Sequence, residues 1–403
     1  MPMTQTAPAQ TQDVLTGMLP TLVDLRRDLH AHPELSFEER RTSDVVAREL
    51  EASGVRVKRG FAKGTGVLGY LPATTGGGRG VALRADMDAL PIVEATGKPY
   101  ASTTTGVMHA CGHDGHTTIL IGAAKVLATM HRSRPVTFIF QPAEEGGGGG
   151  DLMVREGALR GENAGGLGEA PERIYGLHGW PTFEVGKVAT RPGPLLASTD
   201  DFRITIKGVQ SHGAYPHFGR DPILTAAHVI TALQSIASRN VSPLDSIVVS
   251  VGAIHGGTAD NIIPEQVTFI GTVRTLRAET KKLAKERLFA VVENTARAMG
   301  CEARIDWHEG YPATVNDADA TARFFGIAED TLGKPRVELA PEPTMGGEDF
   351  SFYGREIPAC FFFLGLRPKG ATTFPTLHQP DFDFNDEAIR TGVELMVALA
   401  LRG

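Results

Sequence analysis

The segment HACGHDGH, residues 109–116, brings together three histidines, one cysteine and one aspartate. Cys111 and His113 flank a glycine, so both side chains can face one point while the backbone bends between them. A thiolate near the start of a helix is stabilised by the helix dipole and by any metal ion that it meets. The segment therefore predicts metal ligation, and the alternative is a redox or incidental cysteine beside surface histidines.

A second candidate follows the apolar run VTFIF, where QPAEEGGGGG places Glu144 and Glu145 before five glycines. Adjacent carboxylates at a strand end can divide the work, because one can hold a metal while the other takes a proton from water. A solvated acidic turn is the ordinary alternative. The glycines are expected to let the chain turn tightly after the glutamates.

Other polar residues also follow short apolar strands. Asp86 and Asp88 come after GVALR, His178 comes after RIYGL, and His378 lies in the loop after FFFLGL. Sites in open parallel sheets lie beyond the carboxyl ends of the strands. These side chains are therefore expected to converge with the first two groups.

The candidate ligands outnumber those of a single zinc site, which has four protein ligands when closed and three when catalytic. Two metal ions that share a bridging ligand would use them all, and Glu144 would act as general base and then as general acid. The five candidate ligands are Cys111, His113, Glu145, His178 and His378.

Two further groups allow two interpretations each. His30 and His32 in DLHAHPE look like a ligand pair, but they end a helix before a proline, which favours capping or packing. His212, Asn261 and Arg274 could be two turns and a solvent-facing arginine, or a lid that supplies an oxyanion donor and a carboxylate clamp.

Helices that alternate with short, continuously apolar strands predict an α/β catalytic domain, with a mixed, mostly parallel sheet flanked by helices. Between residues 192 and 309 the pattern changes to β-α-β-β-α-β, which is the ferredoxin-like order. We therefore predict a discontinuous catalytic domain, 1–191 and 310–403, and an inserted α+β domain, 192–309.

Composition excludes several classes of protein. The 403 residues are 41% hydrophobic with a net charge of −7, and no basic cluster with interleaved aromatics occurs, so neither nucleic acid nor a membrane is the expected partner. No apolar stretch approaches the roughly 20 residues that span a bilayer. Three cysteines favour a reducing, cytoplasmic compartment, and MPMTQTAPAQTQ is expected to be a frayed tail and not a signal peptide.

Seven ordered motifs are RADMDALP, HACGHDGHTTILIGAA, FIFQPAEE, GLHGWP, SHGAYPH, MGGEDFSFY and LHQPDF. Together they resemble the hippurate hydrolase and indole-acetyl-amino-acid hydrolase branch of the dinuclear-metal aminoacylase/carboxypeptidase superfamily. The resemblance covers nearly the whole chain from about residue 25. It implies a catalytic domain with an inserted lid that dimerises, two divalent metal ions, and an N-acyl amino acid as the small-molecule substrate.

The resemblance also assigns roles. It implies that Cys111 bridges the metals, with His113 and His178 at one metal and Glu145 and His378 at the other. Glu144 matches the family's base, and His212 matches a lid histidine that can reach the scissile carbonyl from the partner subunit. Asn261 and Arg274 match positions that hold the substrate carboxylate. Asp86 stands where the wider superfamily has a metal-binding histidine, so it is not expected to be a ligand, and Asp88 corresponds to the carboxylate that orients that histidine.

The leading hypothesis is therefore a metal-dependent amidohydrolase that cleaves N-acetyl, N-benzoyl or similar amino acids. A dipeptidase or aminopeptidase with the same site is the alternative. A nucleotide-binding enzyme is disfavoured because the sequence lacks GxGxxG after a strand and GxxxxGK[ST]. A non-catalytic metal-binding protein would not need Glu144 beside a full ligand set. Zinc suits a thiolate with imidazoles, and manganese, cobalt and nickel remain alternatives.

Overall fold

The computed structural model describes residues 7–403. Its helices are α1 (Ala7–Ala31), α2 (Arg40–Glu51), α3 (His113–Ala128), α4 (Gly149–Arg155), α5 (Pro222–Ser235), α6 (Ala278–Ala298), α7 (Ala318–Leu332), α8 (Ser351–Gly354) and α9 (Ala388–Arg402). Its strands are β1 (Arg56–Phe61), β2 (Gly66–Leu71), β3 (Gly80–Asp86), β4 (Val136–Gln141), β5 (Pro171–Glu184), β6 (Val188–Thr190), β7 (Gly193–Leu196), β8 (Ser198–Lys207), β9 (Ser211–His212), β10 (Ile247–Gly256), β11 (Ile262–Ile263), β12 (Gln266–Thr275), β13 (Glu302–Glu309), β14 (Thr314–Asn316), β15 (Val337–Leu339) and β16 (Ala359–Arg367).

The chain forms two compact units. The larger unit contains the residues up to Gly193 together with Val315–Glu342 and Asp349–Gly403. The smaller unit contains Pro194–Thr314 and Pro343–Glu348. The catalytic and lid roles that the sequence assigns to its two domains stay predictions.

An eight-stranded sheet forms the centre of the larger unit, in the order β1-β2-β4-β3-β5-β16-β6-β15. The four central strands β4, β3, β5 and β16 are parallel to one another, while β1, β2 and β6 add antiparallel pairs. Every residue of β3 and β4 is buried, as expected for strands that helices cover on both faces. The predicted mixed, mostly parallel sheet is confirmed.

Helices α1, α3 and α9 pack against one another and contribute to the core of the larger unit. Ile119 and Leu120 of α3, Leu22 of α1 and Val393 of α9 are almost fully buried there. This packing fixes α3, and it therefore also fixes the position of the residues at the N-terminus of α3.

The smaller unit has the chain order β8-α5-β10-β12-α6-β13 and a fully antiparallel sheet in the order β10-β12-β8-β13. Alternate residues of β8, among them Phe202 and Ile204, pack with Leu233 and Leu288 of the two helices. The Asp221 side chain begins α5 by accepting two backbone hydrogen bonds, at 2.8 and 3.0 Å. The predicted ferredoxin-like arrangement is confirmed.

Two local predictions are wrong at the N-terminus. Residues 7–12, predicted to be part of a frayed tail, belong to α1, and residues 1–6 lie outside the described residues. The sequence also predicts a kink or restart at Pro20, and the restart does not occur, because α1 runs unbroken through this residue. Pro20 is exposed, so water can satisfy the carbonyl whose helical hydrogen bond proline removes.

Strand β5 is longer than the segment RIYGLHGW predicted. It continues through Pro181 to Glu184, so His178 lies within the strand and not after it. Proline is tolerated because β3 pairs with β5 only as far as Gly176, which leaves the later residues paired with β16 alone.

All three cysteines are free and buried, in agreement with a chain that has no disulfide framework. Among residues 7–403, no helix has both the length and the apolar character needed to cross a membrane.

Candidate metal centre

The turn into α3 brings Cys111 and His113 to one point. Gly112 between them has a φ of +93°, a left-handed conformation that glycine adopts without strain, and α3 begins at His113. Both side chains are buried, and the Cys111 Sγ lies 3.3 Å from Nε2 of His178.

Backbone carbonyls fix the proton positions of the two buried histidines. His113 donates through Nδ1 to the carbonyl of Asp88 at 2.9 Å, and His178 donates through Nδ1 to the carbonyl of Gly179 at 2.8 Å. In each ring, Nε2 is therefore the nitrogen that a metal could occupy. Burial lowers the pKa of His113, but the charge of Asp86 and the hydrogen bond to Asp88 outweigh it and raise this pKa to about 10, so a metal at Nε2 would displace a proton. Nε2 of His113 is buried and has no hydrogen-bond partner among the described residues.

A second group of ligand atoms forms around Glu145 and His378, whose Oε1 and Nε2 are 3.0 Å apart. His378 has a φ of +64°, and its backbone N–H donates to the carbonyl of Ala110 at 2.8 Å. This bond ties the His378 loop to the residue before Cys111. The imidazole is half-exposed, so the cluster has one side open to solvent.

The potential ligand atoms form two triads that share one residue. Those of Cys111, His113 and His178 all lie within 4.8 Å of one another, and so do those of Cys111, Glu145 and His378. A metal ion in each of these two triads would share the Cys111 thiolate. Burial raises the pKa of the Cys111 thiol well above its usual value, and the charges of Glu145 and Glu144 act in the same direction. A thiolate at this position would need a cation beside it.

Asp88 holds the turn that carries the two glutamates. Its Oδ1 accepts the Glu144 backbone N–H at 3.0 Å, and its Oδ2 accepts the Glu145 N–H at 2.9 Å and the Ser36 hydroxyl at 2.9 Å. Burial opposes its charge, but hydrogen bonding to His113 and to both glutamate N–H groups outweighs burial and lowers the pKa of Asp88. Glu144 is itself buried, and its carboxylate lies within 4.8 Å of ligand atoms of His113 and Glu145.

Glu39 is a site residue that the sequence analysis missed. Its carboxylate is fully buried and accepts the Ala143 N–H at 2.9 Å and the Thr65 hydroxyl at 2.9 Å. Ala143 has a φ of +55°, so this bond supports a strained residue directly before Glu144. Burial raises the pKa of Glu39 to about 7, with a further contribution from the charge of Asp88.

Asp86 lies beside the cluster, but its oxygens are already engaged. Arg84 donates to Oδ2 at 2.6 Å and His116 donates to Oδ1 at 2.7 Å. Nε2 of His116 accepts the Gly179 N–H at 2.7 Å, so neither nitrogen of His116 is available to a metal. Asp86, His113 and His116 also have ligand atoms within 4.8 Å of one another, so the expectation that Asp86 is not a ligand stays a prediction.

His30 and His32 lie outside both triads. His30 is buried, with Nδ1 2.8 Å from Oδ2 of Asp114 and Nε2 3.2 Å from Oε1 of Glu94. Nδ1 of His32 donates to the carbonyl of Asp28 at 2.8 Å.

The three residues predicted for a lid lie in the smaller unit. His212 and Asn261 are neighbours, because β9 pairs with β11 and the Gly213 N–H donates to the carbonyl of Asn261 at 2.7 Å. Both are exposed. Arg274 lies on β12, where its Nε donates to the Thr272 hydroxyl at 3.1 Å. Their approach to the substrate stays a prediction.

Comparison with known proteins gives consistent matches. Residues 82–402 match peptidase family M20/M25/M40. The chain is 41% identical over 371 residues to an N-acetyl-L-cysteine deacetylase of Bacillus subtilis, covering 91% of this chain and 84% of the relative. It is also 41% identical over 388 residues to IAA-amino acid hydrolase ILR1-like 4 of Arabidopsis thaliana, covering 94% and 85%.

A solved structure gives a similar result. The crystal structure of a dinuclear metal binding peptidase of the M20 family from Bacillus subtilis superposes with a TM-score of 0.82 at 34% identity. The match covers 96% of this chain and 98% of that one.

Proposed function

This chain belongs to peptidase family M20/M25/M40, and from that premise we propose that it hydrolyses the amide bond of N-acyl amino acids, with Glu144 as the general base. It is a metal-dependent amidohydrolase by family. The observation that carries the proposal is the pair of ligand triads that share Cys111, with Glu144 next to both.

The residues fit two divalent metal ions. Cys111, His113 and His178 would hold one ion, and Cys111, Glu145 and His378 would hold the other. The unpartnered Nε2 of His113 and the thiol among carboxylates support this assignment, since both groups would gain a cation. A thiolate with imidazoles suits zinc, and manganese, cobalt or nickel are the alternatives. When bound, the metals would acidify a water molecule and polarise the substrate carbonyl.

The protein groups would then move one proton. Glu144 would take it from the attacking water and give it to the amide nitrogen as the free amino acid leaves. Asp88 keeps this carboxylate in place through the backbone. His212 would stabilise the oxyanion, and Asn261 and Arg274 would hold the substrate carboxylate, for which the arginine fork is suited.

The relatives support the substrate class by their names, which refer to N-acetyl-L-cysteine and to indole-acetyl amino acids. A panel of N-acetyl and N-benzoyl amino acids beside dipeptides, with apo protein loaded with each metal, would test the class. We expect the acylated amino acids to be hydrolysed with higher kcat/KM than the dipeptides. Faster hydrolysis of the dipeptides would favour a dipeptidase, and no hydrolysis with any metal would refute the proposal.

Glu144→Gln tests the base directly. A general base contributes roughly 10²- to 10⁴-fold to rate, so kcat is expected to fall by that factor while both metals stay bound. Metal content is measured on the same sample, and Glu162→Gln, at an exposed carboxylate, is the control that should keep full activity. Unchanged hydrolysis by the Glu144 variant with its metals bound would remove this residue from the mechanism.

A further inference from the structure

Two buried carboxylates bind three successive backbone N–H groups at the pair of glutamates. Glu39 accepts the Ala143 N–H at 2.9 Å, and Asp88 accepts the N–H groups of Glu144 and Glu145 at 3.0 and 2.9 Å. Successive N–H groups in a turn form a concave site for anions, and here two side chains of the protein occupy it. The turn that these three residues form, which we call the glutamate turn, is therefore held by Glu39 as well as by Asp88.

Ala143 is the strained residue of the glutamate turn. Its φ of +55° lies in the left-handed region, which a residue with a Cβ adopts only at a cost in energy. It is fully buried, and its carbonyl accepts the Gly149 N–H at 3.0 Å. Because Ala143 directly precedes Glu144, a return of its φ to the ordinary negative range would change the direction in which the chain enters Glu144.

Glu39 is a rigid partner for this strained residue. It directly precedes α2, whose Val46 and Leu50 lie in the core of the larger unit. Its second oxygen accepts the hydroxyl of Thr65, which is also buried, at 2.9 Å. The carboxylate therefore presents an acceptor of fixed position to the Ala143 N–H.

Glu39 contacts the site through the backbone and not as a metal ligand. No cluster of three or more potential metal ligands among residues 7–403 includes Glu39. Each of its oxygens already accepts a hydrogen bond, one from Ala143 and one from Thr65. Its effect on the reaction would therefore pass through the conformation of Ala143.

We propose that Glu39 positions the general base by holding Ala143 in the left-handed conformation, an inference that rests on the proposed role of Glu144. Glu39 is a positioning residue, since it touches neither substrate nor metal. Its loss should therefore lower kcat and leave the KM for the substrate nearly unchanged.

The test compares variants of the full chain at saturating metal, with the N-acetyl or N-benzoyl amino acid that the wild type hydrolyses fastest. Glu39→Met removes the acceptor but keeps a side chain of similar length, and kcat is expected to fall by about 10- to 100-fold, the factor typical of residues that support a metal site. Glu39→Asp withdraws the carboxylate from Ala143 and should lower kcat in the same way. It replaces Glu39→Met if that variant does not fold.

Glu39→Gln is the conservative variant. Its amide oxygen can accept the Ala143 N–H while its NH₂ group donates to the Thr65 hydroxyl, so both hydrogen bonds persist without the charge. Its kcat should stay close to that of the wild type.

A glycine at position 143 tests the mechanism itself. Glycine adopts a positive φ without strain, so Ala143→Gly added to Glu39→Met should raise kcat by about 5- to 30-fold, the factor to which the strain of a left-handed L-residue corresponds. Ala62→Gly is the matched control, because Ala62 is also buried, has a φ of +46° and donates its N–H to the carboxylate of Glu156. Ala62 lies outside the glutamate turn, so this change should not restore kcat.

Crystal structures of the metal-free variants give a readout that does not depend on activity. The φ of residue 143 should be positive in the wild type, in Glu39→Gln and in the variant that combines Glu39→Met with Ala143→Gly. It should be negative in Glu39→Met alone.

Three results would overturn the role of Glu39. The first is an active wild type with an equally active Glu39→Met, and the second is a φ at residue 143 that stays positive in Glu39→Met. The third is an equal rise in kcat from Ala62→Gly and Ala143→Gly, which would show a general effect on stability. A wild type that hydrolyses no N-acyl amino acid with any metal would instead refute the proposed function, so the two failures are distinguishable.

Discussion

Asp88 determines where the two glutamates lie, although it would touch neither substrate nor metal. Each oxygen of Asp88 accepts one backbone N–H, from Glu144 or Glu145. In Asp88→Asn, one of these oxygens becomes an NH₂ group, which donates hydrogen bonds and cannot accept the backbone N–H. Because residues that support metal ligands typically contribute 10- to 100-fold, we expect kcat to fall by about that factor, with weaker metal binding. Steady-state kinetics and metal titration measure both.

Ser36→Ala is the matched control for this prediction. It removes one hydrogen bond to Asp88 but leaves the charge and both backbone bonds in place. Its effect on kcat should be several-fold smaller. If kcat falls equally in Asp88→Asn and Ser36→Ala, the Asp88 carboxylate does not act by holding the turn that carries the two glutamates.

At the scale of residues, the sequence identifies a site residue when the residues next to it in the chain indicate its role. Cys111 and His113 are recognisable because they flank a glycine before a helix. Glu39 is not recognisable, because its partner Ala143 is 104 positions away and neither residue type suggests the bond. The same holds for Arg84, whose hydrogen bond reaches Asp349 across 265 positions.

At the scale of elements, α1 and α3 are joined by buried charges. Arg26 and His30 of α1 both contact Asp114 in the first turn of α3, each at 2.8 Å. Burial disfavours the charged form of His30, but the hydrogen bonds to Asp114 and Glu94 outweigh it and raise the pKa of His30 to about 9. This junction holds the helix that begins with His113.

The junction predicts a dependence of stability on pH. Since the pKa of His30 rises from 6.5 when unfolded to about 9 when folded, its contribution is complete below pH 6.5 and is lost as the pH rises through 9. A shift of this size corresponds to about 3 kcal/mol. The difference in unfolding free energy between wild type and His30→Gln should therefore shrink over this range in urea titrations. If the difference in unfolding free energy between the two proteins does not change with pH, the predicted contribution of His30 is wrong.

The turn between β4 and α4 depends on a glycine that a side chain would break. A Cβ at Gly149 would lie 1.7 Å from the carbonyl oxygen of Pro142. Gly149→Ala is expected to destabilise the protein by about 1–3 kcal/mol, as for other forced overpacking, and to lower activity by moving Glu144.

Gly326→Ala is the matched control, because a Cβ there meets nothing within 4 Å in the middle of α7. Alanine has the higher helix propensity, so this variant should be up to about 1 kcal/mol more stable. Urea unfolding of both variants gives the comparison. A stable, active Gly149→Ala would mean that the turn can relax.

Elements with a strong period or a continuous apolar run are predictable, as β4 and α3 demonstrate. Two of the errors occur at prolines. Pro20 lies inside α1 and Pro181 lies inside β5. Pro20 is tolerated because it is exposed to water, and Pro181 is tolerated because β3 no longer pairs with β5 at that point. Whether a given N–H has a partner depends on neighbouring strands and solvent, which local sequence does not contain.

At the scale of the whole molecule, we propose that His212 acts on the substrate that a partner subunit binds. If His212 acts on the substrate of its partner, Glu144→Gln and His212→Ala should each be inactive alone but active together after subunit exchange. Only one of the two sites in a mixed dimer is then intact, so random exchange should restore about a quarter of the wild-type rate. Light scattering would measure whether the chain forms a dimer, and lack of recovery despite exchange would place His212 in its own subunit's site.

The position of β16 has a consequence for the order in which the protein can form during synthesis. This strand lies between β5 and β6 in the sheet of the larger unit, yet it comes near the end of the chain. The ferredoxin-like elements from β8 to β13 are contiguous and are complete by Glu309. We therefore expect these ferredoxin-like elements to fold while the ribosome is still translating, whereas the larger unit exposes the unpaired edges of β5 and β6 until Ala359–Arg367 has emerged. Unpaired edges of this kind can pair with other chains, so we expect the growing chain to be most prone to aggregation at that stage.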